Sequence, residues 1–243
     1  MWFLGYPEQA LDRINEAVNI AQDLSHPPTL VIALNVAARL HLFRREPLAV
    51  QERAEATLAL CGEHGFAMFL NWATITLGWA LAAQGKEDEG IAHMREGFAA
   101  YRATAAEHQR PYFLSLLAEA YGNVGHIEEG LTMLKEALDM VNKTEERNWE
   151  AELHRSKGEL LLMQQGQKMS EAEECFRQAL DTARRQQAKS LELRAAMSLN
   201  RLWQHQGKQE EAHKLLAEIY DWFTEGFDTA DLQEAKFLLE ELA

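Results

Sequence analysis

Apolar residues recur at spacings of three and four along nearly the whole chain, and nowhere do they alternate with polar residues at every second position. A period near 3.6 turns one face of a helix inward, so the pattern predicts an all-α protein without strands. The helical stretches come in pairs joined by short polar turns. The turn residues Gly5, Arg45, Gly85, Gly125, Gly166 and Gly207 stand 40, 40, 40, 41 and 41 positions apart. Self-similarity at such an interval signals a stack of supersecondary units, each burying its apolar face on its neighbours. The predicted organisation is one array over residues 1–243. Residues 1–24 form a truncated first repeat, 28–64, 67–104, 109–143, 148–187 and 189–225 are full helix-turn-helix repeats, and 228–242 is a capping helix.

Local chemistry supports those boundaries. All five prolines, Pro7, Pro27, Pro28, Pro47 and Pro111, fall at or just before a predicted helix start, where a missing N–H costs nothing. Small residues mark the units as strongly as the turns do: Gly78, Gly85, Gly90 and Gly97 in one unit correspond to Ala118, Gly125, Gly130 and Ala137 in the next, then to Gly158, Gly166, Ala172 and Ala179. A glycine inside a helix costs about 0.5–1 kcal/mol relative to alanine. Close approach of the two helices of a repeat would offset that cost at Gly90, Gly97 and Gly130. The step from Gly166 to Ala172 is six rather than five, and Ser170 with Glu173 has the spacing of a capping box, which assigns the additional residue to the turn.

Both ends depart from the repeat. The chain opens with the end of a first helix and a second helix from Pro7 carrying Leu11, Ile14 and Val18. That helix lacks most of its partner, and Met1, Trp2, Phe3 and Leu4 add apolar surface. The expectation is a sticky end, either cut from a longer protein or buried against a second copy in a two-fold homodimer. At the other end an acidic N-cap at Asp228 and helical spacing of Leu232, Ala235, Leu239 and Leu242 predict a helix that covers the last repeat.

Small residues at the eighth, twentieth and twenty-seventh positions of a unit of about 34 residues mark the tetratricopeptide repeat. Gly78, Gly90 and Gly97 match them, with Leu77 and Leu81 at its large positions. The unit here is longer by about six residues, a length that HEAT and armadillo repeats share, and the small-residue offsets favour the tetratricopeptide pattern. The resemblance implies a right-handed superhelical solenoid. A resemblance of wider extent lies in WFLGYPEQAL, AELHRSKGELLL, AEECFRQALDTARRQQAKSLELRAAMSLNRLW and YDWFTEGFDTADLQEAKFLLEEL. These segments are similar to the C-terminal repeat region of bacterial signal-transducing regulators of the predicted ATPase or adenylate cyclase type. That similarity implies a sensor or partner-binding arm and no enzyme activity of the arm itself, since the nucleotide-handling modules of such regulators lie upstream of the repeats.

The tetratricopeptide correspondence places a concave groove on the first helix of each repeat. Its candidate residues are Asn35 and Arg39, Trp72 and Trp79 on an almost wholly apolar helix, Tyr112 and Glu119, Glu152, Arg155 and Glu159, and Arg194 and Arg201. Aromatic anchors beside charged groups suit an extended or helical protein segment. A helix apolar on every side is also what a buried core helix looks like, so Trp72 and Trp79 are either open anchors or core.

Composition narrows the function further. The net charge of −14 argues against nucleic acid as a partner. Residues 147–214 carry 12 basic and 10 acidic side chains against 12 and 28 elsewhere, so the acidity belongs to the rest of the chain. Cys61 and Cys175, far apart and with no second cysteine near either, read as buried free thiols in a reducing cytoplasm. No run of apolar residues is long enough for a membrane span, and no phosphate-binding, dinucleotide, zinc-protease or nucleophile-elbow motif is present. His154, within AELHRSKGE, is the most tempting histidine, and it reads as an ordinary helix residue. No cofactor or metal is expected. The sequence therefore predicts a non-catalytic scaffold for a protein or peptide segment, with a structural spacer or oligomerisation element as the alternative.

Overall fold

The computed structural model describes residues 1–104, 106–164 and 168–241. Twelve α-helices and no strand lie among them: α1 (Pro7–Asp23), α2 (Pro27–Phe43), α3 (Pro47–His64), α4 (Ala67–Ala83), α5 (Glu87–Ala103), α6 (Arg110–Asn123), α7 (Ile127–Thr144), α8 (Glu150–Met163), α9 (Met169–Arg185), α10 (Lys189–His205), α11 (Gln209–Tyr220) and α12 (Ala230–Glu240). Short 3-10 turns occupy Trp2–Leu4 and Arg147–Trp149. The chain divides into two compact units, one of Glu8–His108 and one of Met1–Pro7 with Gln109–Ala243. Among the described residues no helix is long and apolar enough to cross a membrane.

The helices begin and end where backbone chemistry dictates. Pro7, Pro27 and Pro47 are first residues of helices, and Pro111 is second in α6. The turn residues Gly5, Gly85, Gly125 and Gly207 have φ between 77° and 87°, and Arg45 follows them at 61°. Glycine occupies that left-handed region at no steric cost. Gly166 lies outside the described residues.

Within each unit every helix from α2 on packs against its chain neighbour, and alternate helices meet as well: α2 with α4 in the first unit, and α6 with α8, α8 with α10 and α10 with α12 in the second. Within each unit the first helices thus form one layer, on which the second helices pack. In the first unit, the carbonyl of Gly90 would lie 2.5 Å from a Cβ on Gly78, and the carbonyl of Gly78 equally near one on Gly90. The backbones of α4 and α5 meet there with no room for a methyl group. In the second unit, α9, α10, α11 and α12 enclose a core that includes Phe176, Leu199, Leu216, Leu232 and Leu238. Cys61 and Cys175 are buried free thiols, and burial pushes the pKa of each up.

Three local expectations are corrected. Ser170 does not cap α9, whose N-cap is Lys168 with no side-chain bond. Its intended partner Glu173 instead accepts from Arg177, Trp203 and Gln206, at 2.8, 3.1 and 3.1 Å. Burial raises the pKa of Glu173, but those donors and the Lys208 ammonium outweigh it and hold the carboxyl at about 2. Asp228 is not the N-cap of α12 either: Thr229 takes the position, its hydroxyl donating to the Gly226 carbonyl at 2.6 Å. Leu238, rather than Leu239, completes the buried stripe with Leu232 and Ala235, Leu239 is only partly buried, and Leu242 lies outside the described residues. The third correction concerns the start. Trp2 is buried at 5% exposure, and Ile14, Val18 and Ala21 of α1 are buried too, whereas Met1, Leu4 and Ile20 stay exposed, so the apolar surface expected at the start is covered in part.

Candidate functional site

The spacing of Glu152, Arg155 and Glu159 at three and four residues puts all three on one face of α8. Arg155 makes a two-pronged bond to Glu152, at 2.7 and 3.1 Å, and reaches Glu159 at 3.4 Å. Burial alone would lower the pKa of Arg155, but the Glu152 carboxylate, then Glu159 and Glu119 from α6, raise it well above its ordinary value. The guanidinium is therefore a fixed positive charge among three carboxylates. From α10, Ser198 donates to Glu159 at 2.6 Å, and Arg194 lies 3.7 Å from Glu152 and 2.8 Å from Asp231 of α12. Arg201 pairs with Glu234. One polar ladder so runs across the first-helix layer from α6 to α12. Beside it is a cleft of about 140 Å³, lined by Glu119, Asn123, Arg155, Ser156, Glu159, Leu160 and Met163.

Nearer the N-terminal ends of the same helices the face is aromatic. Tyr112 stacks on Trp149 with ring centroids 3.9 Å apart. The indole nitrogen of Trp149 donates to Gln109 at 3.3 Å, and the backbone N–H of Gln109 donates to the Glu146 carboxylate at 3.1 Å. Gln109 is left-handed at φ 67°, which brings the start of α6 to the turn before α8. The opening segment of the chain lies on this platform. Phe3 meets Trp149 edge to face at 5.1 Å, the Arg194 guanidinium sits 4.9 Å from the Trp2 ring centroid, and Ser190 donates to the Trp2 carbonyl at 2.6 Å.

Of the eleven candidate groove residues, seven thus belong to the second unit. The contacts join Glu152, Arg155, Glu159 and Arg194 directly, with Glu119 coupled through its charge, and place Tyr112 and Arg201 at the two margins. The other four belong to the first unit. Asn35 is buried at 2% exposure, and its side-chain nitrogen has no hydrogen-bond partner among the described residues. Arg39 lies 5.2 Å from the Trp72 ring centroid, and Tyr101 approaches the same ring at 6.3 Å. Trp72 is buried at 9% exposure and Trp79 half-buried, so this helix does not present two open indoles. His154 is half-buried on α8, and burial pushes its pKa down.

Trp149, Ser190, Ser198, Asp231 and Glu234 went unmarked by sequence reasoning, and Trp2 was marked only as apolar surface of the chain's first segment. Trp149 had a signal, a lone tryptophan at a first-helix start one repeat after Tyr112. The others had none, because their partners lie a repeat or most of the chain away.

The family model described as anaphase-promoting complex subunit 5 matches residues 2–44 and 159–243, just over half of the chain. The chain belongs to that family. Its fold is the all-helical solenoid of tetratricopeptide-like proteins. A Rap protein complexed with competence and sporulation factor superposes with a TM-score of 0.72 at 16% identity, over 95% of this chain and 62% of that one. PlcR of Bacillus thuringiensis, in complex with the peptide PapR7 and DNA, gives 0.70 at 11% identity, over 88% and 74%. In sequence, an uncharacterised protein of Rhizobium meliloti (strain 1021) is 22% identical over 202 residues. The alignment covers 83% of this family member but only 20% of that relative, so the chain spans about a fifth of its length.

Proposed function

We propose that the chain is a non-catalytic scaffold whose first-helix face holds an extended segment of a protein or peptide, and that it serves as the regulatory arm of a larger bacterial signalling protein in the cytoplasm. The observation that carries the reading is the cleft beside Arg155: a fixed guanidinium flanked by Glu119 and Glu159, with Leu160 and Met163 as an apolar floor. Two carboxylates around one cation leave the cleft net negative, which suits a lysine, an arginine or a free amino terminus on the incoming segment. The relative roughly four times as long supports an arm of a larger protein, and PlcR with its peptide supports the kind of ligand. The homodimer expected through Trp2 is the weaker idea, because that side chain would first have to leave its seat beside Arg194.

Screening the full chain against a random peptide library tests this reading. The expected result is enrichment of peptides with a basic residue, with binding weakened at least tenfold by Glu119→Gln with Glu159→Gln. No enrichment over the starting library, or binders indifferent to both substitutions, removes the charged cleft as the site.

A further inference from the structure

We infer that the cleft beside Arg155 reads the free amino terminus of an incoming chain whose first residue is small, rather than a lysine or arginine side chain within it, a choice that rests on the scaffold reading of the same cleft.

The cleft lies between α6 and α8, and each helix presents two polar side chains to it: Glu119 and Asn123, four residues apart on α6, and Ser156 and Glu159, three apart on α8. Glu159 spends one oxygen on its neighbours. Ser198 and Arg155 both donate to Oε1, at 2.6 and 3.4 Å, while Oε2 accepts from no described residue and the side chain stays 30% exposed. Arg155 is committed in turn: its Nε and Nη2 donate to Glu152 at 3.1 and 2.7 Å, and its Nη1 to Glu159. A compact cation entering the cleft therefore meets a carboxylate on each helix, with the Asn123 amide oxygen as a third acceptor. An ammonium has three N–H bonds to give.

Ser156 decides between the cations. It is 6% exposed, it lines the cleft, and its hydroxyl has no hydrogen-bond partner among the described residues. A buried hydroxyl whose proton stays unpaired is costly. Lysine and arginine side chains have donors only, so either would satisfy the carboxylates and leave that proton without an acceptor. The first residue of a chain brings both halves, an ammonium for Glu119 and Glu159 and its own carbonyl oxygen for Ser156. Size points the same way. The volume of about 140 Å³ is close to that of the roughly 150 Å³ cavity that takes up benzene, about six non-hydrogen atoms. That suffices for the main chain of one residue with a side chain the size of alanine or serine, set against Leu160 and Met163.

The probe is a synthetic heptapeptide library with alanine first and the other positions random, offered to the full chain once with free amino termini and once acetylated. The strongest free-amine binder is then remade with a fluorophore at its C-terminus. Fluorescence polarisation is expected to show that acetylation weakens its binding at least tenfold, and that Ser156→Ala, which keeps a good helix former in α8, weakens it several-fold. Acetylated binders as strong as the free ones, or free-amine binding indifferent to Ser156→Ala, overturn the amino-terminal site. If acetylated peptides bearing lysine or arginine bind through Glu119 and Glu159 instead, the charged cleft stands and only its choice of cation is lost. Enrichment from neither library removes both.

Discussion

The helix pairs α4/α5 and α6/α7 use their helix glycines for different ends, although only Gly90 and Gly130 are equivalent in the repeat. In α4/α5 the space left by Gly78 and Gly90 is filled by the backbone of the facing helix, with Met94 and Ala82 completing the contact. In α6/α7 a Cβ on Gly122 would stand 2.3 Å from one methyl of Leu160, and a Cβ on Gly130 2.7 Å from the other, with the Ala118 carbonyl at 2.9 Å. Leu160 belongs to α8, in the following repeat. Helix glycines therefore draw two helices of one repeat together in the first pair, and open a socket for the next repeat in the second. Glycine spacing announces close packing but does not say what does the packing.

The largest effect separating these cases is expected at Gly90. Gly90→Leu drives a side chain into the α4 backbone at Gly78 and Ala82 and is expected to cost about 3 kcal/mol or more through overpacking, read as a fall in the urea midpoint. Gly122→Ala meets only the end of a leucine side chain. Its cost is expected to be about 1 kcal/mol, because overpacking is partly offset by the better helix propensity of alanine. Leu160→Ala alone is expected to lose about 3 kcal/mol. Added to Gly122→Ala, it is expected to give less than the sum of the two losses, because the clash is gone. Simple additivity there would mean that the socket is not filled as described.

The smallest effect sits away from both pairs, at Glu173. Its carboxyl, held at about 2, stabilises the fold fully above the ordinary carboxylate range, and that contribution is lost as pH falls through about 4 towards 2. Melting temperatures of the natural chain and Glu173→Gln are expected to differ by a few degrees at pH 7 and to converge near pH 2. A gap that persists at pH 2 would show that shape rather than charge matters at this position.

Much of the fold was legible because helix period, proline placement and turn glycines are local signals, and the glycine at φ 83° in the α4–α5 turn needs no knowledge of anything distant. Ser170 shows where local reading stops. Its spacing to Glu173 is right for a cap, yet Glu173 is taken by Trp203 and Gln206 from the next repeat. At the candidate site, helical spacing within α8 brought Glu152, Arg155 and Glu159 to one face. Nothing within α8 could announce Ser198 or Asp231, whose contacts depend on how neighbouring first helices line up. Trp2 is the extreme instance: 188 residues separate it from Ser190, and no periodic pattern relates the two.

Leu160 has a consequence for how the second unit comes apart. One side chain of α8 closes two gaps in the preceding pair, so peeling α8 away uncovers Gly122 and Gly130 together and leaves α6 and α7 with a hole that neither can fill. Repeat arrays with weak joints fray one unit at a time, whereas strong coupling between neighbours favours unfolding in a single concerted step. Pulled in an optical trap, this stretch would be expected to give way in one rip spanning α6 to α8, and with Leu160→Ala to release its helices in smaller, separate events.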